Sequence, residues 1–332
     1  MISVSNLHKK YGAVDAVRDV SFTVDKDSVL GFLGPNGAGK TTIMKILTGY
    51  HFPSAGTALV DGISVTEDPV AVKSIIGYLP ESVPLYSDLT VEEYLRFIAR
   101  ARLIPRASIK GRIDTALELC ALGDKRGKRI ETLSKGYKQR TGLAQAILHD
   151  PPILILDEPT TGLDPNQIIE IRGLIKDLGK RKTVILSTHI LQEVEAVCNQ
   201  VLILNEGAIA AQGTPESIAG TMKGGETWDI LLKSPYGFGA RDNESFGTRD
   251  GEGVETKLGR FTLQPENITV RPADDKTAAV SFFLSAAAQG GGHDTAEAIF
   301  DWAVGEGLKI LSMTQKKLSL EDIFVKLTNE AP

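Results

Sequence analysis

The segment that most constrains the fold of this chain is a glycine-rich loop, Gly34-Pro35-Asn36-Gly37-Ala38-Gly39-Lys40-Thr41. It fits the pattern G-x-x-x-x-G-K-[ST], in which glycines let consecutive backbone N–H groups turn around a phosphate. The apolar run Ser28–Leu33 predicts a buried strand before the loop, and the run Thr41–Leu47 predicts a helix after it. Because a helix N-terminus adds partial positive charge, this segment predicts a phosphate-binding site.

Two side chains of the loop are suited to a nucleotide and its metal. Lys40 is expected to reach the β- and γ-phosphate oxygens, and the hydroxyl of Thr41 is a ligand that Mg²⁺ accepts. The alternative is a glycine-rich turn that matches by chance, and the strand before it and the helix after it argue against that alternative.

Composition limits the possible partners and the cell compartment. The 332 residues predict about two domains, and the formal net charge of −5 favours no nucleic-acid partner. Cys120 and Cys198 are far apart in the sequence, which predicts two core thiols rather than a disulfide or a metal site. No apolar run approaches the ~20 residues that cross a bilayer, and Met1–Val4 does not begin a signal peptide. We therefore expect any membrane role to depend on a partner chain.

Up to about residue 213, short β-rich runs alternate with helical patterns. The predicted strands are Ser3–Leu7, Val20–Val24, Val29–Phe32, Thr57–Val60, Ile75–Tyr78, Ile153–Leu156, Thr183–Ser187 and Gln200–Asn205. The continuous apolar runs among them indicate strands buried on both faces, hence a partly parallel sheet covered by helices. This pattern predicts an α/β domain over residues 1–215.

Two other regions differ from this alternation. Residues 84–149 are mostly helical, which predicts a helical subdomain inserted into the α/β core, with Thr90 starting one helix. Residues 222–332 predict a small α+β accessory domain, in which the polar, glycine-rich segment Tyr236–Gly259 is expected to be a mobile loop or a hairpin region. Its predicted elements are the strands Trp228–Leu232, Phe261–Gln264, Ile268–Arg271, Ala278–Leu284 and Lys309–Thr314 and the helices Thr295–Val304 and Leu318–Leu327. Gln289–His293 is interpreted as a loop rather than a metal site, because a single histidine offers one ligand.

Acidic side chains follow one of the buried strands. Asp157 and Glu158 end the run Ile153–Leu156, where Asp157 can hold the Mg²⁺ shell and Glu158 can polarise an attacking water. The alternative is that these two acids simply begin a surface turn, and the phosphate loop earlier in the sequence argues against it. His189 follows another buried strand and can hydrogen-bond a γ-phosphate, although a histidine in that position is more often structural.

The segment Leu133-Ser134-Lys135-Gly136-Tyr137 carries a family resemblance. It resembles the signature motif of ATP-binding-cassette (ABC) ATPases, whose common form is Leu-Ser-Gly-Gly-Gln. Ser134 and Gly136 match, and the Ser-Lys-Gly-Tyr variant is similar to one used by a bacterial exporter branch. In this family the motif faces the γ-phosphate bound by the other subunit, so the resemblance implies a nucleotide shared between two chains.

The rest of the family's pattern follows in order. The resemblance implies nucleotide contacts by residues 34–42, which include Thr42, and stacking of Tyr11 on adenine. It places Asp164 at a dimer interface. Glu81 stands where the family's switch segment normally carries glutamine, so it is expected to offer an oxygen to Mg²⁺ or water while adding a negative charge.

The resemblance also implies a function. Gly162–Gln167, Ser187–Val194 and Leu318–Phe324 look like segments of the gliding-motility and multidrug-type ABC exporter ATPases. A P-loop ATPase that binds ATP and Mg²⁺ is implied, paired with a second copy of itself or a homologous ATPase and with an integral membrane permease. The implied location is cytoplasmic, at the inner face of the membrane through that permease. The alternative is an ABC ATPase that acts on ribosomes or DNA, whose members usually carry two cassettes or long coiled-coil insertions.

Overall fold

This computed structural model describes residues 1–221, 225–235, 253–261, 263–274, 276–285, 295–316 and 324. These residues divide into two compact units, one within Met1–Pro215 and the other within Glu216–Val325. The strands of the first unit are β1 (Ile2–Tyr11), β2 (Val14–Val24), β3 (Val29–Leu33), β4 (Ala55–Val60), β5 (Ile63–Ser64), β6 (Ile76–Leu79), β7 (Ile153–Asp157), β8 (Thr183–Thr188), β9 (Gln200–Asn205) and β10 (Ala208–Gly213). The helices that accompany them are α1 (Lys40–Leu47), α2 (Pro69–Ile75), α3 (Val91–Ala101), α4 (Arg106–Leu119), α5 (Lys135–Ile147), α6 (Pro165–Gly179) and α7 (Leu191–Val197). A further helix, α8 (Pro215–Thr221), begins at the boundary and belongs, apart from Pro215, to the second unit.

The central sheet of the first unit has the strand order β10-β9-β3-β8-β7-β6, and only β10 runs antiparallel to its neighbour. Every residue of β3, β7 and β8 is buried, as expected for strands covered by helices on both faces. The glycine-rich loop of residues 34–41, which we call the P-loop, follows β3. Glu158 follows β7, and His189 follows β8. Because these strands are neighbours and parallel, their carboxyl ends bring the three segments to one edge of the sheet.

A second sheet, with the order β2-β1-β4-β5, is antiparallel. Its apolar side chains share one core with α1 and the central sheet, and the rings of Phe22 and Phe32 lie 5.5 Å apart in an edge-to-face arrangement. This packing fixes α1, and therefore the P-loop before it, against both sheets.

Between β6 and β7 the chain forms α3, α4 and α5. Thr90 caps α3 in a reciprocal capping box: the Glu93 N–H donates to the Thr90 hydroxyl, and the Thr90 N–H donates to the Glu93 carboxylate. The predicted helix start at Thr90 is thus confirmed. Every strand predicted before residue 213 is also confirmed, except that Ile75 is the last residue of α2 rather than the first of a strand.

The second unit contains β11 (Gly225–Lys233), α9 (Val254–Gly259), β12 (Glu266–Asp274), β13 (Thr277–Ser285), α10 (Thr295–Gly305) and β14 (Lys309–Lys316). Its antiparallel sheet has the order β12-β13-β11-β14, which with the two helices is a split βαβ arrangement. It has its own apolar core. The predicted α+β character is confirmed.

Two predictions in this unit are wrong. Phe261, Leu263 and Gln264 are not part of a strand. Phe261 lies in a turn that follows α9, because its N–H donates to the Leu258 carbonyl and its ring is buried in the core. The segment predicted as a loop ends in α9, where Val254 and Leu258 are one helical turn apart and both buried. Residues 236–252, the loop Gln289–His293 and, apart from Phe324, the helix predicted over 318–327 lie outside the described residues.

Candidate nucleotide site

The P-loop joins β3 to α1, and its glycines are required by its shape. Gly37 and Gly39 have φ angles of +84° and +99°, in the left-handed region that glycine tolerates. A Cβ atom on Gly39 would lie 2.6 Å from the carbonyl oxygen of Ala16, and one on Gly34 would lie 2.5 Å from that of Leu204. Neither position therefore accepts a larger residue without movement of the backbone.

Lys40 is buried at the start of α1. Its Nζ donates to the carbonyl oxygens of Gly34 at 2.6 Å and Pro35 at 3.1 Å, and lies 3.9 Å from Oε1 of Glu158. Burial lowers the pKa of the Lys40 ammonium, and three carboxylates oppose that shift, those of Glu158, Asp157 and Glu81. This lysine is a buried cation held by neutral carbonyl groups, so a phosphate gives it a stronger partner.

Asp157 ends β7 directly beside the start of α1. Its Oδ1 accepts a hydrogen bond from the Thr41 hydroxyl at 3.2 Å and another from the Ser187 hydroxyl at 2.6 Å. The side chain is 1% exposed. These hydroxyls fix the carboxylate next to the first turn of the helix that follows the P-loop.

Glu158 has an unusual backbone and a tightly held carboxylate. Its φ angle is +50°, uncommon for a residue other than glycine, and its N–H donates to the Ser187 hydroxyl at 2.9 Å. Oε2 accepts from the Thr161 hydroxyl at 3.1 Å and from Nδ1 of His189 at 2.9 Å. The other carboxylate oxygen, Oε1, is the one near Lys40.

These elements enclose a cavity of about 460 Å³, within the range of small-molecule sites. The sequence-predicted residues that line it are Asn36, Gly37, Ala38, Gly39, Lys40, Thr41, Thr42, Glu81, Glu158 and His189. Gly34 and Pro35 contribute the carbonyl groups that hold Lys40, and Asp157 lies behind Thr41. The structure therefore brings most of the predicted nucleotide residues together.

The structure places Ser134 and Gly136 elsewhere, outside the residues that line this cavity. Ser134 is the N-cap residue of α5, and a Cβ atom on Gly136 would lie 2.1 Å from Oε1 of Gln167. Lys135 lies against Gly162, and Asp164 caps α6 by accepting a hydrogen bond from the N–H of Gln167. We call these residues the signature face: Ser134, Lys135, Gly136, Gly162, Asp164 and Gln167.

Tyr11 is also outside the cavity lining. Its ring is 42% exposed, lies 5.8 Å from the ring of His51 and has the Nζ of Lys9 at 5.0 Å from its centroid. An exposed ring at the end of β1 is available for stacking, and its contact with adenine stays a prediction.

Comparison with known proteins identifies the family. Residues 17–161 match the family model described as "ABC transporter". The chain is 40% identical over 213 residues to the ABC transporter ATP-binding protein YxlF of Bacillus subtilis, covering 64% of this chain and 70% of that protein. It is 33% identical over 271 residues to the Nod factor export ATP-binding protein I of Burkholderia orbicola, covering 81% and 88%.

The chain belongs to the ABC transporter ATP-binding proteins. A solved structure of the ATP-binding subunit of an ABC transporter superposes with a TM-score of 0.62 at 33% identity, covering 67% of this chain and 92% of that one. The predicted P-loop fold and ATPase class are thereby confirmed. Within the described residues, no helix combines the length and apolar character needed to span a membrane.

As an ABC ATPase, the chain is expected to use Mg²⁺, and the residues present fit that ion. Mg²⁺ usually takes one or two carboxylates together with phosphate oxygens and waters. Asp157 and Thr41 supply a carboxylate and a hydroxyl side by side, next to the P-loop. In the described part of the chain, no three His, Cys, Asp or Glu side chains are grouped around a metal position.

Sequence reasoning missed three residues of this ABC ATPase site. Thr161 and Ala16 line the cavity, and Ser187 binds both acids of the strand end, Asp157 and Glu158. Thr161 could have been found three residues after Glu158, and Ser187 two residues before His189. Ala16 has no signal in the sequence, since it reaches the cavity only because β2 passes over the P-loop.

Proposed function

We propose that this chain is the ATP-hydrolysing subunit of an ABC exporter, in which two copies enclose ATP between the cavity of one and the signature face of the other. The observation that carries the proposal is the separation of these two surfaces within one chain. The cavity has phosphate-binding backbone groups, a cation and acids, while Ser134 and Gly136 lie outside it at the N-terminus of α5. A helix N-terminus with a free hydroxyl is suited to an anion, so each surface supplies what the other lacks.

In the proposed reaction, the P-loop N–H groups and Lys40 hold the β- and γ-phosphates, and Thr41 and Asp157 hold Mg²⁺. When bound, Mg²⁺ supplies positive charge to the phosphate oxygens. A water attacks the γ-phosphorus, and the bond to the β–γ bridging oxygen breaks with its electron pair leaving on ADP. Glu158 accepts the proton of the water through its carboxylate.

His189 and Thr161 orient the base in this proposal. Both donate to Oε2 of Glu158, which leaves Oε1 as the oxygen nearer to Lys40 and the phosphate region. Because the backbone of Glu158 is in a strained conformation, the surrounding hydrogen bonds determine where its carboxylate points.

The nucleotide part is tested with Lys40→Ala. We expect this variant to lose most of its affinity for a fluorescent ATP analogue, because the buried ammonium has no substitute near the P-loop. Lys45→Ala is the matched control, since Lys45 lies on the same helix but does not line the cavity. Equal affinities of the two variants would contradict the proposed site.

A groove between α3 and α4 supports the proposed permease contact. It has a volume of about 910 Å³, and its lining includes the apolar side chains of Ile109, Ile113 and Leu103, the last of which is 87% exposed. Arg106 and Lys110 line it and have no ion-pair partner among the described residues. From Tyr94 to Ile113 the sequence carries six Arg or Lys residues and no acid, so the groove suits a segment with apolar and acidic side chains.

We assign this groove to a cytoplasmic segment of the permease, which would hold the chain at the inner face of the membrane. The double variant Arg106→Glu/Lys110→Glu should keep ATP hydrolysis in the absence of membranes and no longer sediment with membranes that contain the permease. Lys26→Glu, an exposed charge reversal before β3, is the control. Unchanged sedimentation of the double variant would contradict the assignment.

Export is favoured over action on ribosomes or DNA. One relative is named for Nod factor export. The net charge of −5 gives no electrostatic footprint for nucleic acid. The cargo itself would contact the permease rather than this subunit.

A further inference from the structure

A buried carboxylate on α7 has no role in the reaction proposed above. Glu193 is 3% exposed, and both of its carboxylate oxygens have partners. Oε1 accepts a hydrogen bond from the Thr160 hydroxyl and lies 3.5 Å from the guanidinium of Arg172, while Oε2 accepts from the Thr188 hydroxyl at 2.7 Å. A buried charge is tolerated only when it is paired and hydrogen-bonded in this way.

The partners of Glu193 adjoin the residues that hold Glu158. Thr160 directly precedes Thr161, and Thr188 directly precedes His189. Thr161 and His189 are the two donors to Oε2 of Glu158. One carboxylate therefore connects the loop that follows β7 to the last residue of β8. The residues next along the chain, Thr161 and His189, bind the same oxygen atom of the proposed base.

The direction of each hydrogen bond in this cluster is fixed. The Thr188 hydroxyl accepts from the N–H of Ile190 at 3.0 Å, so its own hydrogen is directed to Glu193. A carboxylate accepts on both oxygens, whereas an amide accepts on one and donates on the other. At position 193 an amide could accept from only one of the two hydroxyls, and its NH2 group would face either the Thr188 hydroxyl or the Thr160 hydroxyl and the Arg172 guanidinium.

We propose that Glu193 is a positioning residue for hydrolysis: it fixes Thr161 and His189 on the carboxylate of Glu158 by holding their neighbours Thr160 and Thr188. This inference rests on the proposed role of Glu158 as the base. Glu193 touches neither the cavity nor the nucleotide residues, so its effect is expected on turnover and not on ATP binding.

The test is Glu193→Gln, assayed for steady-state kcat, KM and affinity for a fluorescent ATP analogue. We expect kcat to fall about tenfold or more, since a misplacement of about 1 Å in a catalytic group can cost up to ~100-fold. The affinity for the analogue should change by less than about twofold, because an unchanged ground-state complex leaves only the catalytic step affected. Glu195→Gln is the matched control, an exposed acid on the same helix, and should behave as the wild type.

A second variant covers the case in which Glu193→Gln does not fold. Thr160→Val removes one hydroxyl donor and leaves Glu193 and Arg172 in place, so it should show the same fall in kcat with unchanged affinity. Combining Glu193→Gln with Thr161→Val should be non-additive, because both changes release the same oxygen of Glu158. Additive losses, or a Glu193→Gln variant with the kcat of Glu195→Gln, would overturn the proposal.

Measuring Glu158→Gln alongside these variants distinguishes a failure of the positioning role from a failure of the proposed base. If Glu158→Gln abolishes turnover while Glu193→Gln and Thr160→Val keep wild-type kcat, only the positioning role fails. If Glu158→Gln itself retains turnover, the proposed base fails and the positioning role fails with it. A Glu193→Gln variant that loses ATP affinity in proportion to kcat would indicate a general structural role and would also contradict the proposal.

Discussion

The nucleotide cavity and the signature face both use helix N-termini, yet they differ in burial and charge. In the cavity the charged groups are buried: Lys40 is 6% exposed and Glu158 is 7% exposed, each in contact with fixed partners. On the signature face, Ser134, Lys135 and Asp164 are solvent-exposed. The cavity holds its groups in place before a ligand arrives, whereas the face offers groups to a surface outside the chain. This difference supports the proposed site, which would be assembled from two chains.

The largest effect is expected at the cavity, from Glu158→Gln. The amide keeps the size of the side chain but cannot accept the proton of the attacking water, so kcat should fall at least ~100-fold. ATP binding should be retained, because the P-loop and Lys40 are unchanged. Single-turnover hydrolysis and analogue titration measure the two quantities, with Glu118→Gln, an exposed acid on α4, as control. Hydrolysis within a few-fold of the wild type would refute the assignment.

The next effect is expected at the signature face and tests whether it acts on a second chain. Glu158→Gln should form an ATP-dependent dimer, since it binds ATP without consuming it. Adding Ser134→Arg should prevent that dimer, because a long cationic side chain then occupies the N-terminus of α5, where both its volume and its charge oppose a close approach. Sedimentation with and without ATP measures the effect, and Ser108→Arg on the exposed surface of α4 is the control. Dimerisation of the Ser134→Arg double variant as strong as that of its parent would count against the shared site.

The cavity could largely be predicted from the sequence because its main parts are local. The P-loop pattern fixes a strand, a turn and a helix together, and Asp157 and Glu158 directly follow an uninterrupted apolar strand. Parallel neighbouring strands then bring these segments to one edge without further information. The capping box at Thr90 was predictable for the same reason, since its two partners are three residues apart.

The hydrogen bonds behind the cavity could not be predicted, because they join residues that are distant in the sequence. Thr160 and Glu193 are 33 residues apart and meet only when β7 and β8 pair. The left-handed backbone of Glu158 likewise depends on Ser187, which is contributed by the neighbouring strand. In the second unit, Phe261 resembled part of a strand because an aromatic residue that anchors a turn in the core has the same local composition.

A smaller effect, on the stability of the fold, is expected when Glu92 loses its ion pair with Arg126, which lies in the segment before the signature face. Glu92 on α3 accepts from Arg126 at 2.6 Å and from Arg96, and these hydrogen bonds lower the pKa of Glu92 from 4.5 to about 2. A depressed pKa stabilises the folded state above pH 4.5, and the contribution is lost as the pH falls from 4.5 towards 2. Glu92→Gln should therefore lower the free energy of unfolding by no more than about 1 kcal/mol at neutral pH, since the pair is partly exposed.

Denaturant unfolding at several pH values measures this difference. The free-energy gap between wild type and Glu92→Gln should be constant above pH 5 or so and should close in acid. Glu118→Gln, on the exposed surface of α4, is the control for the loss of one carboxylate. A gap that widens as the pH falls would have the wrong sign for this ion pair. Arg126 lies in the segment that ends at Ser134, so the same variant should weaken ATP-dependent dimerisation slightly more than ATP binding.

The smallest effect on nucleotide binding is expected from removing the second unit. All residues of the cavity and the signature face lie before residue 190, and the apolar core around α1 is formed entirely by residues of the first unit. The second unit has a separate apolar core, and none of the residues that line the cavity belongs to it. A chain truncated after Thr221 should therefore fold and bind the ATP analogue with wild-type affinity, while the lifetime of its ATP-dependent dimer or its coupling to the permease decreases.

Circular dichroism establishes folding, titration gives the affinity, and dilution of the preformed dimer in the Glu158→Gln background gives the lifetime. A folded truncated chain that fails to bind ATP would contradict the prediction, because it would show that nucleotide binding needs the second unit. An unchanged dimer lifetime together with full transport would show that the second unit supports neither the dimer nor its coupling to the permease.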